Sequence, residues 1–419
     1  MNSLSKLALV LTFCTGMIAC SGGKAVKGDY GVVPLPQEVT LTNGNPFVLS
    51  PSTKIFYPEG NDKMKKNAEF LASYIKEITG YELATATGQP GKGISLVIDQ
   101  SIQNPEGYQL TVSDNGIRIA GSTDAGVFYG IQTLRKSIPA TAQGMNVELP
   151  AATINDYPRF AYRGMMLDVS RHFFPVDSVK TYLDILALHN QNTFHWHLSD
   201  DQGWRIEIKK YPELTQIGSK RKETVIGHNS GTYDGKEYGG FYTQDQIRDV
   251  INYAAERHIT IIPEIDMPGH ASAASKAYPE FSGGGSPKYP GYTFNPGKDS
   301  VYTYLTDILK EVDALFPSQV IHLGGDEVHY GNQDWNTNKD IQDLMKHEKM
   351  KNLKELCKKT AQPILHSSFL ILHLLSGMTM KHIEISMYVP MIIASVIREL
   401  HEPQHHKPSK QSPPRGGKC

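Results

Sequence analysis

Asp326 and Glu327 stand side by side, directly after Gly324 and Gly325. Val320, Ile321 and Leu323 before them read as the end of a buried strand, and two glycines let the backbone turn sharply. A strand that delivers adjacent acids to its own C-terminal end puts them where parallel barrels keep their chemistry. Two acids in an apolar mouth cannot both ionise freely, so one keeps its proton to higher pH and can serve as a general acid. Taken alone, the motif reads equally well as a glycine turn with two solvated acids. The other strand ends favour a site. Residues 163–169 open with Arg163 and run into Asp168, Arg171 and His172; residues 193–198 give His195 and His197, then Asp200, Asp201 and Trp204. Residues 259–265 bring Glu264, followed by Asp266 and His270. Trp204, Tyr289, Tyr292, Tyr330 and Trp335 suit a carbohydrate, whose apolar ring faces stack on aromatic rings. His195 and His197 share one face of a strand, which is also a metal-ligand spacing, so a metal-dependent amidohydrolase is a rival reading.

The elements that must position these groups alternate. Residues 25–32 read as a short polar leader, and residues 33–158 as a small α/β domain. Within it, residues 61–79 place Ala68, Leu71, Ile75 and Ile78 on one helical face, with Gly80 set to end the helix. Residues 107–112 and 116–120 flank Ser113-Asp114-Asn115 as a hairpin, and residues 125–138 read as a helix. From 159 to 356 buried strands at 163–169, 193–198, 259–265 and 319–323 alternate with helices. Pro175 and Asp177 start one, Thr243 and Gln246 form a capping box on the next, and Val301, Leu305, Ile308, Val312 and Leu315 mark the third. This alternation implies parallel crossovers, hence a β/α barrel or a doubly wound sheet. The long segments 199–240 and 267–297 both come after strands, which places them as loops at the C-terminal mouth.

Composition excludes some partners. The net charge of −1 gives no electrostatic footprint for nucleic acid. Cys14, Cys20, Cys357 and Cys419 leave 21–356 without cysteine, so no disulfide framework is implied. Lys6, a short apolar run over 7–18 and Met17-Ile18-Ala19-Cys20 resemble a bacterial lipoprotein signal. Cleavage there would leave Cys20 to carry lipid and anchor the chain to the cell-envelope membrane, facing the periplasm or the outer membrane, without spanning it.

Four motifs in order carry a resemblance: Arg163-Gly-Met-Met-Leu-Asp168-Val-Ser-Arg-His172, Phe194-His-Trp-His-Leu-Ser-Asp200-Asp-Gln-Gly-Trp204, Pro263-Glu-Ile-Asp-Met-Pro-Gly-His270 and His322-Leu-Gly-Gly-Asp326-Glu327. They resemble β-N-acetylhexosaminidases of glycoside hydrolase family 20, over residues 33–356. The resemblance implies an N-terminal α/β domain followed by a TIM (β/α)8-type barrel. It implies removal of terminal β-linked N-acetylglucosamine or N-acetylgalactosamine from oligosaccharides or glycoconjugates, with retention and without metal or other cofactor. The substrate's own 2-acetamido oxygen is then the nucleophile, an exception to the two-carboxylate scheme that gains from tethering. Carried over by motif, Glu327 is the general acid/base and Asp326 binds the acetamido N–H. Asp200 and His270 support Glu327, while Arg163 and Trp335 bind the sugar.

After Leu356 the character changes. Residues 357–419 hold eight Lys or Arg against three Glu, with no Asp, Asn or Trp. They read as a disordered or frame-shifted tail, leaving only about the first four β/α units of the barrel. A catalytically impaired fragment or a sugar-binding lipoprotein is therefore the alternative to an exo-acting hexosaminidase.

Overall fold

The computed structural model describes residues 25–88, 91–227, 230–286, 289–295 and 298–325. Cys20, Asp326, Glu327, Tyr330, Trp335 and the 357–419 tail lie outside the described residues. The described chain packs as two compact units. One holds residues 25–167, 174–196 and 242–262; the other holds 168–173, 197–241 and 263–325.

The first unit is built on a seven-stranded sheet. Its order is Glu38–Leu41, Ala152–Asp156, Tyr108–Ser113, Gly116–Gly121, Gly93–Ile98, Lys54–Tyr57 and Ala84–Thr87. The pairings up to Gly116–Gly121 are antiparallel and those beyond it parallel. The helix Asp62–Thr79 starts where the Asn61 side chain accepts the Met64 N–H at 3.0 Å. It ends at Gly80, whose φ of 79° suits glycine and lets its N–H close on the Lys76 carbonyl. Of the residues expected on the inner face, Ala68, Leu71 and Ile75 are buried and Ile78 is half-buried, while Met64 joins the buried set. The helix Asp124–Ser137 is capped by Thr123 and meets the first helix through Phe128 and Phe70, whose ring centroids are 5.8 Å apart.

Residues 25–32 are not a leader. Ala25–Lys27 pairs in parallel with Asn146–Leu149, which also pairs with Phe47–Leu49, and the Tyr30 hydroxyl donates to the Pro150 carbonyl at 2.7 Å. Three residues held by backbone bonds leave no side-chain period in the sequence to read.

Strands Gly164–Asp168, Thr193–His197 and Thr260–Glu264 form a sheet in that order. Thr193 donates to the Arg163 carbonyl at one end and Val169 to the His197 carbonyl at the other, so the first two run the same way. The helices between them are Val176–Leu188, burying Val179, Leu183 and Leu186, and Gln244–Ala255, which carries both halves of the Thr243–Gln246 capping box. The first strand is not buried as expected: Met165 and Met166 are 53% and 49% exposed. It is the outer strand of this sheet among the described residues, so it is bonded on one side only.

The second unit carries the strand ends and the segments that extend from them. The expected strand at 319–323 is reduced to one parallel bridge, Glu264 to His322, with His322 donating to the Pro263 carbonyl and Ile265 and Met267 to the carbonyls of His322 and Leu323. The two long segments are not structureless. Residues 199–240 hold the pairs Ser199–Asp200 with Gly203–Trp204 and Lys220–Arg221 with Tyr238–Gly239. Residues 267–297 hold the helix Ser272–Ala277 and the paired strands Ser282–Ser286 and Tyr289–Phe294. The helix Asp299–Leu315 buries Val301, Leu305, Ile308 and Val312.

Candidate active site

Asp200 is the centre of a buried cluster in the second unit. It is 1% exposed and comes just after the strand that ends at His197. Its Oδ2 lies 2.8 Å from His197 Nε2 and 2.9 Å from Arg171 Nη1, and its Oδ1 lies 3.2 Å from His270 Nδ1. Burial raises a carboxyl's pKa, but these three cationic partners win and hold Asp200 well below the usual carboxylate range. His197 continues inward, with Nδ1 2.7 Å from Glu264 Oε2. The other oxygen of Glu264 lies 3.0 Å from His322 Nδ1. Burial disfavours a charged His197, yet the carboxylates on both ring nitrogens raise it well above the ordinary histidine value.

His270 closes the cluster from the second long segment. It is 6% exposed and sits at φ 49°, a left-handed backbone that a residue with a Cβ adopts at a cost of about 1–3 kcal/mol. Burial opposes its charge, but Asp200 and Asp201 overcome that and push it up to about 11. The Asp200–His270 pair expected from the motifs is thus in direct contact.

The glycine turn before Asp326 is also held. Asp266 Oδ1 accepts the Gly325 N–H at 3.0 Å, and Gly324 N lies 3.1 Å from His322 Nδ1. Gly324 and Gly325 have φ of 61° and 95°, and a Cβ on Gly324 would run into the Asp266 carboxylate. Only glycine fits there.

Arg163, expected to bind the sugar, is engaged by groups of the protein itself. Its Nη1 and Nη2 grip the Glu106 carboxylate at 3.1 and 2.8 Å, Nη1 also reaches the Phe160 carbonyl, and Nε donates to the Asn190 carbonyl. It precedes the Gly164–Asp168 strand, at the end away from the cluster on that strand's own axis. Arg171 lies past the same strand's other end. Its guanidinium bonds Asp168 and Asp200, and its side chain stays 42% exposed. The signal for Arg171 was in the motif: parallel strands place their chemistry at the C-terminal end.

The aromatics divide. Trp204 is 2% exposed with its Nε1–H on the Ile206 carbonyl, and Tyr292 is 7% exposed against His270, so both pack inside rather than present a sugar platform. The loops are fixed by Arg205, which is fully buried and donates to the carbonyls of Val169, Ser170, Ser219 and Gly240. For a metal, donor atoms of His195, Glu264 and His322 lie within 4.8 Å of one another, as do those of His197, Asp200 and Asp266 and those of Asp200, Asp201 and His270.

Carboxylates and histidines thus gather in one buried cluster with a glycine turn, past the ends of parallel strands. Comparison with known proteins supplies the family. Residues 160–368 match the model for the glycosyl hydrolase family 20 catalytic domain, and residues 29–157 match that for family 20 domain 2. The chain belongs to glycoside hydrolase family 20, the β-hexosaminidases. It is 44% identical over 333 residues to a β-hexosaminidase of Vibrio furnissii, covering 78% of this chain and 53% of the relative. Against a β-hexosaminidase of Porphyromonas gingivalis it is 39% identical over 317 residues, 71% of this chain and 38% of the relative. Among solved structures, Streptomyces plicatus N-acetyl-β-hexosaminidase with thio-NAglucal aligns at TM-score 0.66 and 33% identity, covering 79% of this chain and 64% of that one. The family 20 exo-β-N-acetylglucosaminidase of Vibrio harveyi with N-acetylglucosamine aligns at TM-score 0.65 and 35% identity, covering 75% and 49%. The chain spans about half the length of the curated relatives it matches.

Proposed function

We propose that the chain is a retaining exo-β-N-acetylhexosaminidase that removes terminal β-linked N-acetylglucosamine or N-acetylgalactosamine by substrate-assisted catalysis. Glu327 protonates the leaving oxygen and later activates water. Asp326 holds the acetamido N–H while the acetamido oxygen attacks the anomeric carbon. The observation that carries this reading is the buried Asp200–His270 contact beside the Asp266-clamped turn, whose next two residues are Asp326 and Glu327. Arg171 takes over from Arg163 as the proposed ligand of the sugar hydroxyls, and Trp335 is proposed as a pocket wall. Cys20 is proposed as the lipid-bearing residue that anchors the chain to the cell envelope. A sugar-binding chain without turnover is the second reading, favoured by the change of composition after Leu356.

Hydrolysis of an aryl β-N-acetylglucosaminide by residues 21–419 tests the two readings, with Glu327→Gln alongside. Turnover that drops by about 10²–10⁴ in the variant supports the enzyme, because that is what a positioned proton donor contributes. Folded wild-type protein that binds N-acetylglucosamine without hydrolysing the glycoside supports the second reading instead.

A further inference from the structure

His270 has a partner on each ring nitrogen, and the two partners differ in kind. Nδ1 faces Asp200 Oδ1 at 3.2 Å and Asp201 Oδ2 at 3.3 Å. Carboxylates only accept, so Nδ1 carries a hydrogen whether the ring is charged or neutral. Any change in the ring's protonation therefore happens at Nε2. Opposite Nε2, at 3.1 Å, is the Tyr292 hydroxyl. Tyr292 comes from the Tyr289–Phe294 strand, and its ring meets the imidazole edge-on with centroids 5.1 Å apart. A hydroxyl can accept from an Nε2–H, and by turning its own hydrogen it can donate to a bare Nε2.

We propose that Tyr292 is a positioning residue that acts through His270, keeping the imidazole bonded and in one orientation in both of its protonation states. A carboxylate at this place would hold only the cation, and an ammonium only the neutral ring. The left-handed backbone at His270 makes such an anchor useful, because the ring's placement then rests on side-chain bonds rather than on a relaxed main chain. Among the described residues, the groups that face His270 include Asp200 and Asp201 from the segment after the His197 strand, Asp266 and Tyr292. The three carboxylates favour the cation, so at neutral pH the phenol accepts. That His270 in turn supports Glu327 rests on the family reading; the Tyr292–His270 bond does not.

The test is NMR of the full chain with 15N-labelled histidine, comparing wild type with Tyr292→Phe, and with His270→Gln to assign the signals. In wild type the His270 Nε2–H should exchange slowly with water and the ring should titrate far above an exposed histidine. In Tyr292→Phe the melting temperature should hold, since the ring still fills its place. The Nε2–H should exchange at least about tenfold faster, and the titration midpoint should fall by about one unit, because a hydrogen bond to the charged ring is the stronger of the two lost. A purely structural tyrosine would move the melting temperature and leave the midpoint alone, which would overturn the proposal. So would a wild-type Nε2–H that exchanges as fast as a free imidazole, whether or not the variant folds. If the NMR change appears in a chain without turnover, the Tyr292 assignment stands and the hexosaminidase reading alone fails.

Discussion

Arg163 and Arg171 flank the two ends of one strand, and both belong to a single sequence motif. Arg163 is matched to the sugar by resemblance, yet its donors are engaged by Glu106, Phe160 and Asn190, and its guanidinium lies over the Tyr129 ring. Its role is to hold structure together. Breaking a largely buried ion pair leaves Glu106 without its main cation, so Arg163→Ala should lower unfolding free energy by about 2–4 kcal/mol, read from urea denaturation. It should leave KM for an aryl N-acetylglucosaminide within about twofold of wild type. Arg171→Ala should do the reverse, weakening N-acetylglucosamine binding by about tenfold or more, the worth of a charge-assisted hydrogen bond to a hydroxyl. A normal KM in Arg171→Ala with a raised KM in Arg163→Ala would restore Arg163 as the sugar ligand. Asp200 and His270 were legible because each sits one short step past a hydrophobic strand or within a named motif. Tyr292 was not, because nothing in Tyr-Pro-Gly-Tyr separates a histidine's partner from a stacking platform. His197 was legible as a strand-end imidazole but its second carboxylate partner was not, since Glu264 comes from another strand.

Elements were legible where the signal was local. The helix Asp62–Thr79 was legible from both ends, because Asn61 and Gly80 are chemical stops as well as boundaries. The Thr243–Gln246 box is closed by two bonds, Gln246 N–H to Thr243 Oγ1 at 3.2 Å and Thr243 N–H to Gln246 Oε1 at 2.9 Å. Thr243→Ala removes the first and leaves the backbone donor of the second, and should cost about 1 kcal/mol of stability by removing a partner from the helix's first turn. Thermal or urea unfolding measures this, and an unchanged midpoint would mean water caps the helix equally well. Elements fixed by distant backbone were missed or overstated. Ala25–Lys27 has no pattern of its own and exists because Asn146–Leu149 accepts it. The run at 319–323 has a strand's composition, yet it pairs with the strand before it only about Glu264 and His322. The long segments hid their short strand pairs because glycine, serine and tyrosine in alternation look like loop composition.

At the scale of the molecule, the sequence break near residue 158 placed a domain boundary between the α/β region and the barrel strands. The two family matches meet at that same boundary, and the compact unit drawn by packing runs across it: residues 25–167 belong with 174–196 and 242–262. The joints are specific. Glu106 bonds Arg163 and also accepts from Asn192 Nδ2 at 3.3 Å, Lys136 donates to the Leu188 carbonyl at 2.9 Å, and Lys66 pairs with Glu256 at 3.1 Å. Phe128 packs on His258 with centroids 5.1 Å apart, and Arg257 lies over Phe70 at 5.0 Å. Burial pushes Lys136 down to about 8. No sequence rule links these pairs, since each partner lies far along the chain and neither residue type announces the other. The consequence is mechanical. Helices Asp62–Thr79 and Gln244–Ala255 fall in different family domains by sequence but in one packed unit by contact, so they should unfold together. Native-state hydrogen exchange across a urea series measures this directly. Amides of both helices should converge on one opening free energy with one denaturant slope, and Arg163→Ala should lower that shared value in both helices at once. Should Asp62–Thr79 stay protected at urea concentrations where Gln244–Ala255 is already open, the α/β region is an autonomous domain and the joints are surface contacts of little energetic weight.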